Sequence, residues 1–315
     1  MPKAITVDGQ EIGLGEAKEI RLNIARLPTY TPIELSINVF RGKQEGPTLL
    51  LTGGIHGNEI NGVEIIRQLI TKDLITPVKG SIIAIPLVNI YGFIQKQRDL
   101  PDGKDINRSF PGSKGGSLAR LVANTLMKEI IPHIDFGIDF HTGSDALANY
   151  PQIRCMLNNQ QNRKLAEAFS APVTVNSPFI DQSFRQAAQK EGKQILVFET
   201  GEAQRFDKSG IREGISGTLR LMKKLGMRSY KVEPAKTDIY KKRTWIRADY
   251  AGLFHPQKKL GSKVEKEQVI GHISDPFGRE WFKVESSQTG RIIGINKASI
   301  IHKGDALMHI AYDKE

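Results

Sequence analysis

Two periods of hydrophobic and polar positions alternate along the first two thirds of the chain. Residues 19–25 and 33–40 alternate apolar and polar, with Ile20, Leu22 and Ile24 and then Ile33, Leu35, Ile37 and Val39 on one face. They predict two strands joined by a turn at Pro28–Pro32. Pro47-Thr48-Leu49-Leu50-Leu51 and Ser81–Val88 are continuous apolar runs, as expected of strands covered on both faces. Between them Ile60, Val63, Ile65, Ile66, Leu69 and Ile70 recur at helical spacings. A long polar loop, Asn89–Gly116, follows; loops of this length without obvious structure are often functional. Ser117 then caps a helix to about Lys128, with Leu118, Leu121, Val122 and Leu126 as its apolar face. Strands are predicted at Ile134–Gly143, Gln152–Leu157 and Gln194–Gly201, and helices at Gln160–Phe169, Ser183–Lys190 and Ile211–Leu225. Such alternation predicts an α/β fold: a mixed, mostly parallel sheet flanked by helices.

Near residue 230 the texture changes. Lys231–Lys242 is charged, contains proline and reads as a linker. Beyond it the helical period stops, and short apolar stretches at Ala251–Phe254, Val269–Ile273, Gly290–Ile295 and Ala306–Ile310 alternate with glycine-containing turns. This predicts a small all-β module of about seventy residues, within the usual size of a domain. Two domains are expected, 1–235 and 236–315.

Charge narrows the partners. The chain has 45 Lys+Arg against 34 Asp+Glu, a net +11. That sign suits an anionic small molecule or a nucleic acid. The positive residues are scattered in short runs such as Lys223-Lys224 and Lys241-Lys242-Arg243, and no zinc finger, RNA-recognition signature or basic heptad helix accompanies them. Nucleic acid is therefore not an expected partner. Cys155 is the only cysteine, so no internal disulfide demands an oxidising compartment. Met1–Gly9 has no apolar core or cleavage-like site, and no apolar run approaches the length that crosses a bilayer. A cytoplasmic protein without a membrane partner is expected.

Candidate chemistry gathers at predicted strand ends. Thr52-Gly53-Gly54-Ile55-His56-Gly57-Asn58-Glu59 joins the strand ending at Leu51 to the helix beginning near Ile60, and its glycines permit the tight turn. His56 and Glu59 can close on one metal ion from one side. Catalytic zinc sites commonly use two histidines and one glutamate and leave a further position for water. A glycine-rich turn of this kind can instead cradle a phosphate, but neither Gly-x-Gly-x-x-Gly nor a Gly-Lys-Ser/Thr ending is present. His141, in Asp139-Phe140-His141-Thr142-Gly143, supplies the missing histidine at the end of another strand, where open α/β sheets gather their ligands. Glu199 stands at the exit of a third strand, and the long loop adds Arg98, Asn107 and Arg108.

Four segments in order resemble the succinylglutamate desuccinylase/aspartoacylase family, which shares its fold with zinc carboxypeptidases. They are Gly54–Glu59, Asp105-Ile106-Asn107-Arg108-Ser109-Phe110-Pro111-Gly112, Asp139–Gly143 and Phe198-Glu199-Thr200-Gly201. The resemblance implies zinc held by His56, Glu59 and His141, with Glu199 as general base and acid, Asn107 and Arg108 gripping a substrate carboxylate, and Arg98 polarising the scissile carbonyl. Arg154 is either a second carboxylate anchor or a plain surface arginine. Asp139, on the strand face of His141, either orients that ligand or plays a structural part. His133, His255, His272, His302 and His309 have no partner at useful spacing and read as structural or surface residues. Cys155 reads as an inert core residue.

The C-terminal module resembles a lipoyl/biotinyl-type β-sandwich, on Gly261–Gly271 and Lys303-Gly304-Asp305-Ala306-Leu307. Its corresponding hairpin tip, Asp275–Glu280, has no lysine, so a carrier role is not expected. Such a module suits a cap over the active-site mouth or a homo-oligomer interface. The expected function is a zinc-dependent deacylase that cleaves the amide bond of a small anionic N-acyl amino acid or related metabolite. The alternative is a metallocarboxypeptidase acting on short peptides, and a non-catalytic binding protein has no need of a general base. His and Glu ligands also accept other divalent metals.

Overall fold

In the computed structural model, residues 4–26 and 29–315 are described. The expected turn at Pro28–Pro32 begins at Pro28, and the N-terminal stretch Met1–Gly9 begins at residues 1–3; these positions lie outside the described residues. A small hairpin, β1 (Ile5–Val7) and β2 (Gln10–Ile12), precedes the alternating segment, which forms β3 (Ala17–Arg26) and β4 (Pro32–Arg41). The chain continues through β5 (Gln44–Gly53), α1 (Ile60–Thr71), β6 (Lys79–Ile85), α2 (Ile90–Gln95), α3 (Leu118–Glu129), β7 (Phe136–Gly143), β8 (Leu147–Cys155), α4 (Gln160–Phe169), β9 (Val173–Asn176), α5 (Phe184–Lys190), β10 (Gln194–Glu202) and α6 (Lys208–Lys224). Then come β11 (Asp238–Arg247), β12 (Gly252–Pro256), β13 (Lys263–Val264), β14 (Val269–Ser274), β15 (Trp281–Glu285), β16 (Gly290–Asn296), β17 (Ile300–Ile301) and β18 (Ala306–Lys314).

The period of two decides the layers. Leu49 and Leu51 of β5, with Ile82 and Ala84 of β6, face a core completed by α1, α4 and α6. Leu50, Ile83 and Ile85 face the other side, where α3, α5 and the β1–β2 hairpin cover them. Both faces of the central strands are thus buried, which is why those segments read as unbroken apolar runs.

A 12-stranded sheet runs in the order β13-β16-β18-β11-β9-β8-β10-β7-β5-β6-β4-β3. The expectation of a mostly parallel sheet needs correcting: it is mixed. Parallel pairing is confined to β6–β5–β7–β10 and to β8–β9–β11. Antiparallel strands are added at one edge by the β3–β4 hairpin and at the other by C-terminal strands, and β8 runs antiparallel to β10. The remaining strands β15-β14-β12-β17 form an antiparallel sheet of the C-terminal all-β module. Residues 228–237, around the expected boundary, have no regular structure, but the sheet continues across it through β9–β11. Moreover β16 pairs with β8 as well as β18, so β8, β9, β11, β18 and β16 close into a ring. Val173, Val175, Tyr240, Ile293 and Ala311 form one buried cluster from four of these strands.

Candidate active site

The carboxyl ends of β5, β7 and β10, parallel neighbours in the sheet, bring the sequence-separated residues together. His56 follows β5, His141 lies near the end of β7, and Glu199 stands beside it in register on β10. Two glycines shape the turn after β5. Gly54 has φ +57°, a left-handed conformation that glycine adopts without strain. A Cβ at Gly57 would lie 2.0 Å from the Gly92 carbonyl carbon, so α2 passes too close for any side chain there. The next residue but one, Glu59, is the N-cap of α1 but makes no capping bond.

Its carboxylate is engaged elsewhere. Glu59 Oε1 lies 2.7 Å from His56 Nδ1, and Oε2 lies 3.0 Å from His141 Nδ1. Oε2 also accepts from the Thr142 backbone N–H at 2.9 Å. One ligand atom from each of His56, Glu59 and His141 can be chosen so that all lie within 4.8 Å of one another. The far ring nitrogens are held as well: His56 Nε2 is 3.2 Å from Asp105 Oδ1, and His141 Nε2 is 2.8 Å from Asp139 Oδ2. Two imidazoles and a carboxylate converging, each imidazole braced by its own carboxylate, fit a tetrahedral N/O ion such as zinc.

Opposite charges in this cluster oppose the effect of burial. Burial alone would raise the Glu59 carboxyl, but the two imidazoles outweigh it and hold it well below the usual carboxylate range. Burial alone would lower both imidazoles. Glu59 and Asp105 reverse this at His56, and Asp139 and Glu59 raise His141 well above its ordinary value. Asp105 is held low: burial opposes this, and His56 and Arg98 overcome it.

The loop 89–116 is more ordered than its polarity suggests. Asn89 accepts from the Gly92 N–H at 2.8 Å, capping α2, and donates to the Arg98 carbonyl at 3.0 Å. Asp105 accepts from Asn107 N at 2.7 Å, fixing the short 3-10 turn Ile106–Arg108. Arg98 donates Nη1 to Glu59 at 3.2 Å and Nη2 to Asp105 at 2.9 Å. Asn107 accepts from Phe184 N at 2.9 Å, which ties the loop to α5. Arg108 makes no ion pair among the described residues; its Nη1 donates to the Asn107 carbonyl at 2.6 Å.

On β10, Glu199 accepts from Asn149 Nδ2 at 2.8 Å and meets Arg154 Nη1 at 3.0 Å. All of the sequence-predicted site residues, His56, Glu59, His141, Glu199, Arg98, Asn107, Arg108 and Arg154, line one cavity of about 450 Å³. That volume suits a small molecule.

Other lining residues were not anticipated. Arg185 comes from α5, and Arg243, Trp245 and His309 come from β11 and β18. His309 was expected to be a structural or surface residue; it is buried and stacks on Trp245 at 4.2 Å in the pocket wall. Burial, then the charges of Arg154 and Arg243, push it down to about 2, so it is neutral. Asp105 lay within a recognised motif without a role; its position before Asn107 was the available signal. Cys155 is fully buried, and burial pushes its thiol up to about 12, which keeps it protonated. Among the described residues no helix is long and apolar enough to cross a membrane.

A family model described as the succinylglutamate desuccinylase/aspartoacylase catalytic domain matches residues 45–225. An N-alpha-acetyl-L-2,4-diaminobutyric acid deacetylase of Halomonas elongata is 28% identical over 244 residues, 73% of this chain and 71% of that protein. A succinylglutamate desuccinylase/aspartoacylase crystal structure from Rhodobacter sphaeroides superimposes with TM-score 0.82 at 26% identity, covering 95% of each chain. The product-bound ectoine utilization protein EutE (DoeB) of Ruegeria pomeroyi shares the fold, with TM-score 0.82 at 21% identity over 95% of this chain and 97% of that one.

Proposed function

Because this chain belongs to the succinylglutamate desuccinylase/aspartoacylase family, we propose that it is a zinc-dependent hydrolase that cleaves the amide bond of a small N-acyl amino acid. The observation that carries this reading is the convergence of His56, Glu59 and His141 donor atoms within 4.8 Å, in a cavity that Glu199 also lines. When bound, zinc would supply a Lewis acid that brings the pKa of water to about 7 and polarises an acyl oxygen.

The chain's own groups do the rest. Glu199 takes the proton of the attacking water and hands it to the departing nitrogen, a transfer worth roughly 10²–10⁴-fold in rate. Asn149 and Arg154 hold its two oxygens for that task. Asp105 and Asp139 fix the far nitrogen of each imidazole, leaving Nδ1 of both rings for the ion. Arg98 braces Glu59 and Asp105, and its remaining N–H groups serve the negative charge that develops on the acyl oxygen. Arg108, unpaired among the described residues, and Asn107 take the substrate's α-carboxylate; a planar guanidinium matches a carboxylate fork.

In this reading residues 1–235 carry the ion and Glu199, and residues 236–315 supply one wall of the pocket. That wall, with Arg243, Trp245 and His309, supports a small substrate over the peptide chain of a carboxypeptidase. The Halomonas elongata relative is by name a deacetylase of an N-acetylated amino acid, which supports hydrolysis of a carbon–nitrogen bond other than a peptide bond. The test is Glu199→Gln. Its zinc content should match wild type while kcat falls roughly 10²–10⁴-fold. Hydrolysis at the wild-type rate would remove Glu199 from the chemistry.

A further inference from the structure

A second cavity, of about 430 Å³, lies on the loop 89–116 and is lined by Lys104, Asp105, Arg108, Ser109, Ser117 and Arg120, among others. Two local structures frame it: the 3-10 turn Ile106–Arg108, and the chain as it enters α3 at Leu118. Arg108 is the one residue common to this lining and that of the pocket around His56, Glu59 and His141. Lys104 and Arg120 border the second cavity and not the first.

Its charge is not neutralised from within. Among the described residues, none of the cations Lys104, Arg108 and Arg120 makes an ion pair. The one carboxylate in the lining, Asp105, is committed to other partners. Its Oδ1 accepts from Asn107 N at 2.7 Å and lies 3.2 Å from His56 Nε2, and its Oδ2 accepts from Arg98 Nη2 at 2.9 Å. Three positive charges therefore face one space without a free carboxylate. Ser117 adds an unmet hydrogen bond. It immediately precedes α3 but makes no capping bond, and its Oγ is buried without a partner. Converging like charges repel, and a buried hydroxyl without a partner is costly. One occupant relieves both: a phosphate group carries nearly two negative charges near pH 7 and three acceptor oxygens, enough for a fork, an ammonium and a hydroxyl together.

We propose that Lys104, Arg108, Ser117 and Arg120 form a regulatory site for a phosphate group, as the free ion or on a phosphomonoester, and that its occupant competes with substrate for Arg108. The site stands on its own geometry. The competition rests on the deacylase reading, in which Arg108 takes the substrate's α-carboxylate. A guanidinium fork holds one anion at a time. Phosphate in the second cavity keeps Arg108 there, and substrate then binds with one anchor fewer. The loss falls on KM, while kcat, set by the metal and Glu199, stays as it is.

The test compares zinc-loaded wild type, Lys104→Gln and Arg120→Gln in inorganic phosphate, in O-phospho-L-serine, and in sodium chloride at equal ionic strength. Both substituted residues are exposed and lie outside the metal pocket, so without phosphate the variants should keep the wild-type kcat and KM. Phosphate should raise the wild-type KM for the N-acetyl-L-amino acid hydrolysed best and leave kcat unchanged. In each variant the phosphate concentration that doubles KM should be roughly tenfold higher or more. Calorimetric titration, which needs no turnover, should show phosphate affinity weakened by the same factor. Stronger action of phosphoserine assigns the site to phosphomonoesters, and stronger action of inorganic phosphate to the free ion. Phosphate binding and inhibition that neither substitution alters, as an anion on the zinc itself would give, or an equal effect of chloride, would overturn the site. Arg120-dependent phosphate binding with an unmoved KM would keep the site and overturn the competition. The same binding in a protein that hydrolyses no N-acyl amino acid would keep the site and sink the deacylase reading.

Discussion

His309 combines burial and repulsion in one side chain. It is 4% exposed, stacked on Trp245, and faced by the guanidinium groups of Arg154 on β8 and Arg243 on β11. An unfolded chain takes up a proton there below the ordinary value of 6.5, whereas the folded chain does so only near about 2. The contribution of this residue to stability is therefore intact above 6.5 and is lost progressively as pH falls from there. At about pH 5 the loss amounts to about 2 kcal/mol. Urea unfolding at about pH 7 and about pH 5 should show wild type losing that much more stability than His309→Gln. Parallel losses in the two proteins would mean that His309 is protonated in the fold. The same residue shows where sequence reading stops. His56, Glu59, His141 and Glu199 were legible because each sits in a short motif at a strand end. His309, Arg243 and Arg185 lie inside regular elements with no local signature. His309 reaches the pocket only because β18 pairs with β11, opposite Trp245.

Among the elements, the turn between β5 and α1 is tightly constrained. A Cβ on Gly57 would meet the Gly92 backbone at 2.0 Å, and neither partner is a side chain that could swing away. Gly57→Ala should displace the turn from α2, lower stability by about 1–3 kcal/mol and weaken metal binding through His56 and Glu59. Thermal unfolding and metal titration of the variant check this; wild-type values for both would mean that α2 and the turn can part freely. Long periodic elements such as β5, α1, β7, β10 and α6 were evident from pattern, since burial on one or both faces imposes the period. Short or half-exposed ones were not. Helix α2 has six residues and hides in a polar loop. Strand β9 has four, directly after Pro172. Strand β11 starts inside the charged segment Lys231–Lys242, because backbone pairing with β9 and β18 builds it while Lys241 and Lys242 stay exposed.

For the molecule as a whole, topology determines chemistry. The parallel strands β5, β7 and β10 aim their carboxyl ends at one point, and the ring of β8, β9, β11, β18 and β16 sets a wall beside it. The local patterns foretold an α/β sheet and a β module. They did not foretell that the two share hydrogen bonds, because register between strands over a hundred residues apart leaves no periodic trace. Everything assigned to this site presumes that His56 and Glu59, after β5, and His141, on β7, hold one ion. Metal analysis of the purified protein by mass spectrometry, alongside His141→Ala, tests that most directly. The expected result is about one zinc per chain in wild type and almost none in the variant, with deacylation lost in parallel. Wild-type protein that hydrolyses N-acyl amino acids at full rate while free of bound divalent metal would contradict it.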